Sequence, residues 1–222
     1  ISKEQLPGPA YEMLYIVGSA TSIGWDIGNA LEVPQNPDNL FQFIYGGVLV
    51  PGEFKFPVNR NTDWGQDMFM AEPADPSKIY LHNGGDADDN KWTIEKGNYY
   101  TITLDLSDYT IDIVPFKLYM VGSATPIGWD ITSAIELVQD ENEWYLFRYE
   151  GEMTEGEFKF PVNRQSDWGQ DMYMKDPNDP TKMYRHTGGE SDDSKWVFTA
   201  ANAGNYIITV NVLDLTIDIQ KQ

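Results

Sequence analysis

Short runs of alternating apolar and polar residues fill this chain, broken every few positions by Gly, Pro, Asn or Asp. In "NYYTITLDL" Tyr100, Ile102, Leu104 and Leu106 share one face, while Tyr99, Thr101, Thr103 and Asp105 share the other. That two-residue period is the mark of a half-buried strand. In "FKFPVN" the same period turns Phe54, Phe56 and Val58 toward a core and Lys55, Pro57 and Asn59 outward. Pro57 has no amide hydrogen for a ladder, which predicts an edge strand or a strand end, with Lys55 as an edge-protecting charge. Trp92 and Trp196 open strands in "KWTI" and "KWVF" and are predicted core, which turns Lys91 and Lys195 outward. Helical periodicity is sustained nowhere. The pattern predicts an all-β protein built of antiparallel β-sandwich domains of immunoglobulin-like size.

The pattern also occurs twice. "LYIVGSATSIGWDI" (14–27) returns as "LYMVGSATPIGWDI" (118–131), and "HNGGDADDNKW" (82–92) returns as "HTGGESDDSKW" (186–196), at a constant offset of 104 residues. Two tandem domains follow, over 13–115 and 116–222, with 1–12 as the remnant of a linker. No Gly/Ser-rich stretch separates the copies around Pro115, so a short, stiff joint is expected.

Charge narrows the partners. With 15 Lys+Arg against 35 Asp+Glu the formal charge is −20, which repels nucleic acid and anionic lipid and suits a neutral ligand. The absence of cysteine rules out disulfides, thiolate metal sites and a cysteine nucleophile. No run approaches the roughly 20 apolar residues of a membrane helix.

Comparison of the two copies picks out candidate chemistry. Residues 30–50 match 134–154 at six of 21 positions, 17–27 match 121–131 at ten of 11, and 53–70 match 157–174 at 15 of 18. Core strands exchange Ile, Leu and Val at little cost, so near-identity over polar loops needs another reason. Each faithful stretch carries a loop tryptophan beside a glycine: Trp25 and Trp64, repeated as Trp129 and Trp168. An indole face stacks on the apolar C–H face of a pyranose, while Lys, Asn, Asp and Gln satisfy its hydroxyls. Lys91 and Lys195 are placed to donate to such hydroxyls. A loop tryptophan is equally able to lid a core, and two per copy favour a binding surface.

Other chemistry is less well supported. The loops 84–90 ("GGDADDN") and 188–194 ("GGESDDS") offer oxygen ligands at short spacing, as calcium requires, but lack the length and terminal bidentate Glu of an EF-hand. His82 and His186 stand alone in their copies, short of a zinc set. Solvated turns, no metal and no cofactor are expected. No carboxylate pair is marked out for glycoside hydrolysis and no nucleophile elbow is present, so the chain is read as no enzyme. A structural or protein-adhesion spacer is the alternative, and it predicts loop tryptophans that are buried or drift.

Taken in order, "VGSATSIGWD", "GEFKFPVNRNTDWGQDM", "DDNKW" and "GNYYTITLDLSDYTIDI", each occurring in both copies, make the chain resemble the SusE/SusF-type surface glycan-binding lipoproteins of Bacteroidetes starch-utilisation systems, from about Leu14 to Ile219. The resemblance implies non-catalytic starch-binding modules on immunoglobulin-like sandwiches. It also implies a cell-surface protein held at the outer membrane by a lipid anchor in an N-terminal region this chain does not include. It makes Trp25 and Trp64 the platform and Lys55, Asn59 and Lys91 the polar contacts, with Trp129, Trp168, Lys159, Asn163 and Lys195 in the second copy. The implied partners are an α-glucan, starch or a malto-oligosaccharide, and an outer-membrane transport complex of the same utilisation system, with the protein itself a monomer.

Overall fold

A computed structural model describes residues 10–222, and within them the fold is all-β, with antiparallel strands and no α-helix. Most of the expected linker remnant, residues 1–9, lies outside the described residues. Tyr11, near its end, already packs edge-on against Phe69 at 5.6 Å. The chain divides into two compact units, the first ending at Pro115 and the second beginning at Phe116.

In the first unit the hairpin of Leu31–Asn36 and Asn39–Leu49 continues through Asn98–Asp105 and Thr110–Pro115 on one side and reaches Met13–Ile16 on the other. The second layer runs through Asp75–His82, Met68–Glu72 and Phe56–Pro57, with Gly52–Phe54 paired to Trp92–Ile94. The second unit repeats the plan, with Leu146–Met153, Gly204–Asn211 and Thr216–Lys221 facing Met172–Lys175 and Met183–His186.

The core follows the alternation. Leu14, Ile16, Phe43, Phe54, Phe56, Ile102 and Leu104 are fully buried. Trp92 lies among them, stacked on Phe54 at 5.6 Å with its Nε1 donating to the Pro76 carbonyl at 2.9 Å. Trp196 repeats this on Phe158 at 5.4 Å and the Pro180 carbonyl at 3.0 Å. Each such aromatic contributes about 1.5–3 kcal/mol by leaving water.

One local expectation is overturned. Phe56–Pro57 stands at the end of the strand order and stops at Pro57, as the missing amide hydrogen predicts, but Lys55 does not face solvent. Gly52–Phe54 pairs with Trp92–Ile94, Lys55 exchanges both backbone hydrogen bonds with Val17 (3.1 and 3.0 Å), and Phe56–Pro57 pairs with Met68 and Phe69. The strand changes partner at every step, so its outer side is covered as well: Lys55 and Pro57 are buried and Val58 only half-buried. Lys159 and Pro161 repeat the arrangement, with Lys159 bridged to Val121.

Candidate functional site

The covering of Lys55 is made by two loops, and glycines decide how closely they approach. A Cβ on Gly18 would lie 2.1 Å from the Glu53 carbonyl oxygen, so only glycine lets the loop after Ile16 press onto the strand below it. Gly122 meets Glu157 in the same way, at 2.0 Å. The loop is then clipped down: the Ala20 amide donates to the Glu53 carbonyl at 3.1 Å, and the Glu53 amide to Ser19 Oγ at 2.9 Å. Thr21 Oγ1 closes the turn on the Gly18 carbonyl at 2.8 Å. Trp25 follows immediately, and buried Ile27 anchors the chain after it.

The second loop, 58–67, is tied from within by Gln66. Its Oε1 accepts the Asn59 amide at 3.0 Å, and its Nε2 donates to the carbonyls of Asn61 and Asp63 at 2.9 and 3.1 Å. Asn59 Oδ1 accepts the Asn61 amide at 2.8 Å, and Asp63 Oδ1 the Gly65 amide at 2.8 Å. Asn59 is therefore a half-buried part of the loop's framework, and Asn163 does the same in the second unit, accepting from the Gln165 amide at 2.9 Å. Gly84 brings a third loop against this one, since a Cβ there would sit 1.6 Å from the Gly65 carbonyl oxygen.

These constraints bring the two tryptophans together. The rings of Trp25 and Trp64 stand 6.1 Å apart at 59°, and Trp129 and Trp168 repeat both values. None is buried: the four are 37%, 42%, 37% and 43% exposed, in a protein whose strand-opening tryptophans are almost wholly buried. A lid on the core would not leave that much indole in water.

Lysines support the rings. Lys55 Nζ lies 5.0 Å from the Trp64 ring centre and 5.9 Å from that of Trp25, and Lys91 Nζ lies 6.0 Å from Trp25. Lys159 Nζ is 5.2 Å from Trp168. Both lysines of the first unit converge on one carboxylate, Asp89, at 2.7 and 2.8 Å; in the second unit Lys159 and Lys195 each reach Asp193 at 2.7 Å. Partial burial of Asp89 and Asp193 opposes ionisation, but hydrogen bonds and charge from the two lysines outweigh it and hold both below the usual carboxylate range. Lys55 is a buried post beneath the indoles, whereas Lys91 and Lys195 keep about a fifth of their side-chain surface in solvent. Asp89 and Asp193 were missed by sequence reasoning. Their signal was the unchanged "DD" before "KW", which reads as solvation unless both lysines are known to point at it.

The third loop also places charged groups around a histidine. Ligand atoms of His82, Asp86 and Asp88, and of His186, Glu190 and Asp192, lie within 4.8 Å of one another in each unit. Asp88 Oδ2 accepts the Tyr80 hydroxyl, which depresses the Asp88 carboxyl; Tyr184, desolvated and bonded to Asp192 in the same way, is pushed up.

No protein-family model and no curated protein matches this chain. Among solved structures it is similar to the crystal structure of SusF from Bacteroides thetaiotaomicron, at 21% identity over 95% of this chain and 49% of that one, with a TM-score of 0.37. The chain thus spans about half the length of that protein, and a likeness so distant carries no weight for the site.

Proposed function

We propose that the protein is a non-catalytic glycan-binding protein with one aromatic platform in each sandwich. The observation that carries this reading is the pair of exposed tryptophans, held at the same 6.1 Å and 59° in two domains that diverge elsewhere. Two water-facing indoles set on a glycine-fitted framework present apolar faces that sugar C–H groups can cover, with Lys91 or Lys195 beside them to donate to hydroxyls. The ligand class favoured is an α-glucan, starch or a malto-oligosaccharide. Rings tilted by 59° suit a chain whose successive sugars turn, as α-1,4-linked glucose does, better than a flat ribbon. The non-catalytic reading is supported by Asp89, which is ion-paired to two lysines and held below the usual carboxylate range, the opposite of a general acid.

The setting is proposed on the same footing: display on the outer membrane through an N-terminal region outside this chain, as a monomer, beside the transport complex of a polysaccharide-utilisation system. Two weak sites on one chain gain by avidity on a polymer, so polymer is bound more tightly than short oligomers.

Affinity electrophoresis across α-glucans, β-glucans, fructans and host glycans tests the reading. Retardation by starch is expected, together with its loss in Trp25→Ala/Trp129→Ala. Unchanged binding in that variant would remove the platform assignment, and no binding to any glycan would move the protein to the spacer class.

A further inference from the structure

We infer that each domain carries a site for a divalent transition-metal ion, zinc being the best fit, formed by His82, Asp86 and Asp88 in the first and by His186, Glu190 and Asp192 in the second. Spacing alone argues against a metal here, because the calcium pattern is incomplete and each copy has one histidine. The fold supplies what spacing does not show.

His82 ends the strand Asp75–His82, and the loop that follows doubles back over it. Its Nε2 comes 3.3 Å from the Asp86 carbonyl and 3.7 Å from Asp88 Oδ1. In the second unit His186 is 5% exposed, its Nε2 points at Asp192 Oδ1 from 3.4 Å, and neither ring nitrogen has a hydrogen-bond partner. A buried polar atom without a partner is costly, and the usual compensation is a bound water or ion. Here the same buried imidazole is set under two carboxylates in both domains.

The carboxylates behave as ligands would under drift. Within this loop Ala87 has become Ser191 and Asn90 has become Ser194, while Asp86 has become Glu190 and so kept its charge. In three of the four carboxylates, Asp88, Asp192 and Glu190, one oxygen is already engaged and the other is left over. Asp88 Oδ2 takes the Tyr80 hydroxyl, which itself accepts from Asn90 Nδ2 at 2.9 Å, and Oδ1 is the oxygen left facing His82. Glu190 Oε2 takes the Thr187 amide at 2.8 Å. Such outer partners orient metal ligands.

One imidazole nitrogen and two carboxylate oxygens, with remaining positions open to water, match zinc; calcium prefers six to eight oxygens. Donors about 2.1 Å from a tetrahedral zinc lie roughly 3.4 Å apart, so atoms now within 4.8 Å need to close by about 1 Å. The two carboxylate side chains are exposed and have the rotamer freedom to do so.

The test uses the whole chain, stripped with EDTA and titrated with zinc by calorimetry and thermal melting. Two zinc ions per chain and a raised Tm are expected. Asp88→Asn/Asp192→Asn should abolish both effects while circular dichroism stays unchanged, and His82→Gln alone should leave one zinc per chain. The assignment is overturned by three results: no saturable zinc binding, undiminished stoichiometry in the carboxylate variant, or a calcium response equal to that of zinc.

Discussion

The hairpin over 31–49 and the tryptophan loops over 17–27 and 58–67 have both been through the same duplication, and they changed in opposite ways. In the hairpin the buried residues persisted in kind: Phe43 and Tyr45 became Phe147 and Tyr149, Val33 became Leu137 and Leu49 became Met153, all buried. Its outer face was rewritten, with Ile44, Gly46 and Val48 replaced by Arg148, Glu150 and Glu152. That is how a scaffold drifts: volume is kept where packing is tight and chemistry is free where water is. The tryptophan loops reverse the rule, since their exposed indoles are unchanged. Part of that stasis is framework, because Gly18, Gly84, Asn59 and Gln66 are fixed by close approaches and backbone hydrogen bonds. Framework does not account for indoles that face water.

The contrast is sharpest between two tryptophans of the same domain. Trp92→Ala should have the largest effect, destabilising the first domain by about 3–5 kcal/mol, because it opens a cavity against Phe54 and Phe56. Trp64→Ala should leave the melting temperature within a few degrees and instead weaken glycan binding at its site by about 2 kcal/mol, roughly 30-fold. Thermal melts and isothermal titration on both variants separate the roles. If Trp64→Ala unfolds the domain, the ring is scaffold after all.

A smaller effect is expected from the post beneath the rings. Lys55→Met keeps the length of the stem and removes the charge that lies 5.0 and 5.9 Å from the two ring centres. Loss of cation–π support is worth about 1 kcal/mol, so affinity should fall about fivefold with the fold intact. An unchanged affinity would make Lys55 a buried ion pair and nothing more.

How much of this was legible beforehand follows from the range of each constraint. Alternation gave the strand faces of 98–105, because a regular ladder keeps one register for eight residues. It failed at Lys55 because the strand there trades Trp92 for Val17 and then Phe69 within three residues, and a two-residue period cannot show a change of partner. The tryptophans were legible as candidates from the comparison of copies. Their pairing was not, since Trp64 lies 39 positions after Trp25 and the loops are brought together by tertiary contacts, the approach of Gly18 to Glu53 and the bond from Arg60 Nε to the Ala30 carbonyl among them. Asp89 and the surroundings of His82 were hidden for the same reason.

The least of the expected effects concerns acid, and its sign follows from Asp89 and Asp193. Both carboxyls are held below their ordinary range in the folded protein by their lysine pairs, against the opposing effect of burial. A depressed folded-state pKa contributes stability that is fully present above the unfolded value of about 3.9 and is lost as pH falls through the folded value. The Tm difference between the natural chain and Asp89→Asn/Asp193→Asn should therefore be level from pH 8 to about 5 and shrink only below about 4. Both carboxylates are about half exposed, so the difference itself should be small and should diminish in high salt. A gap that closes already near pH 6 would mean that these carboxyls titrate above their ordinary range, and the lysines would then not be the groups that set them.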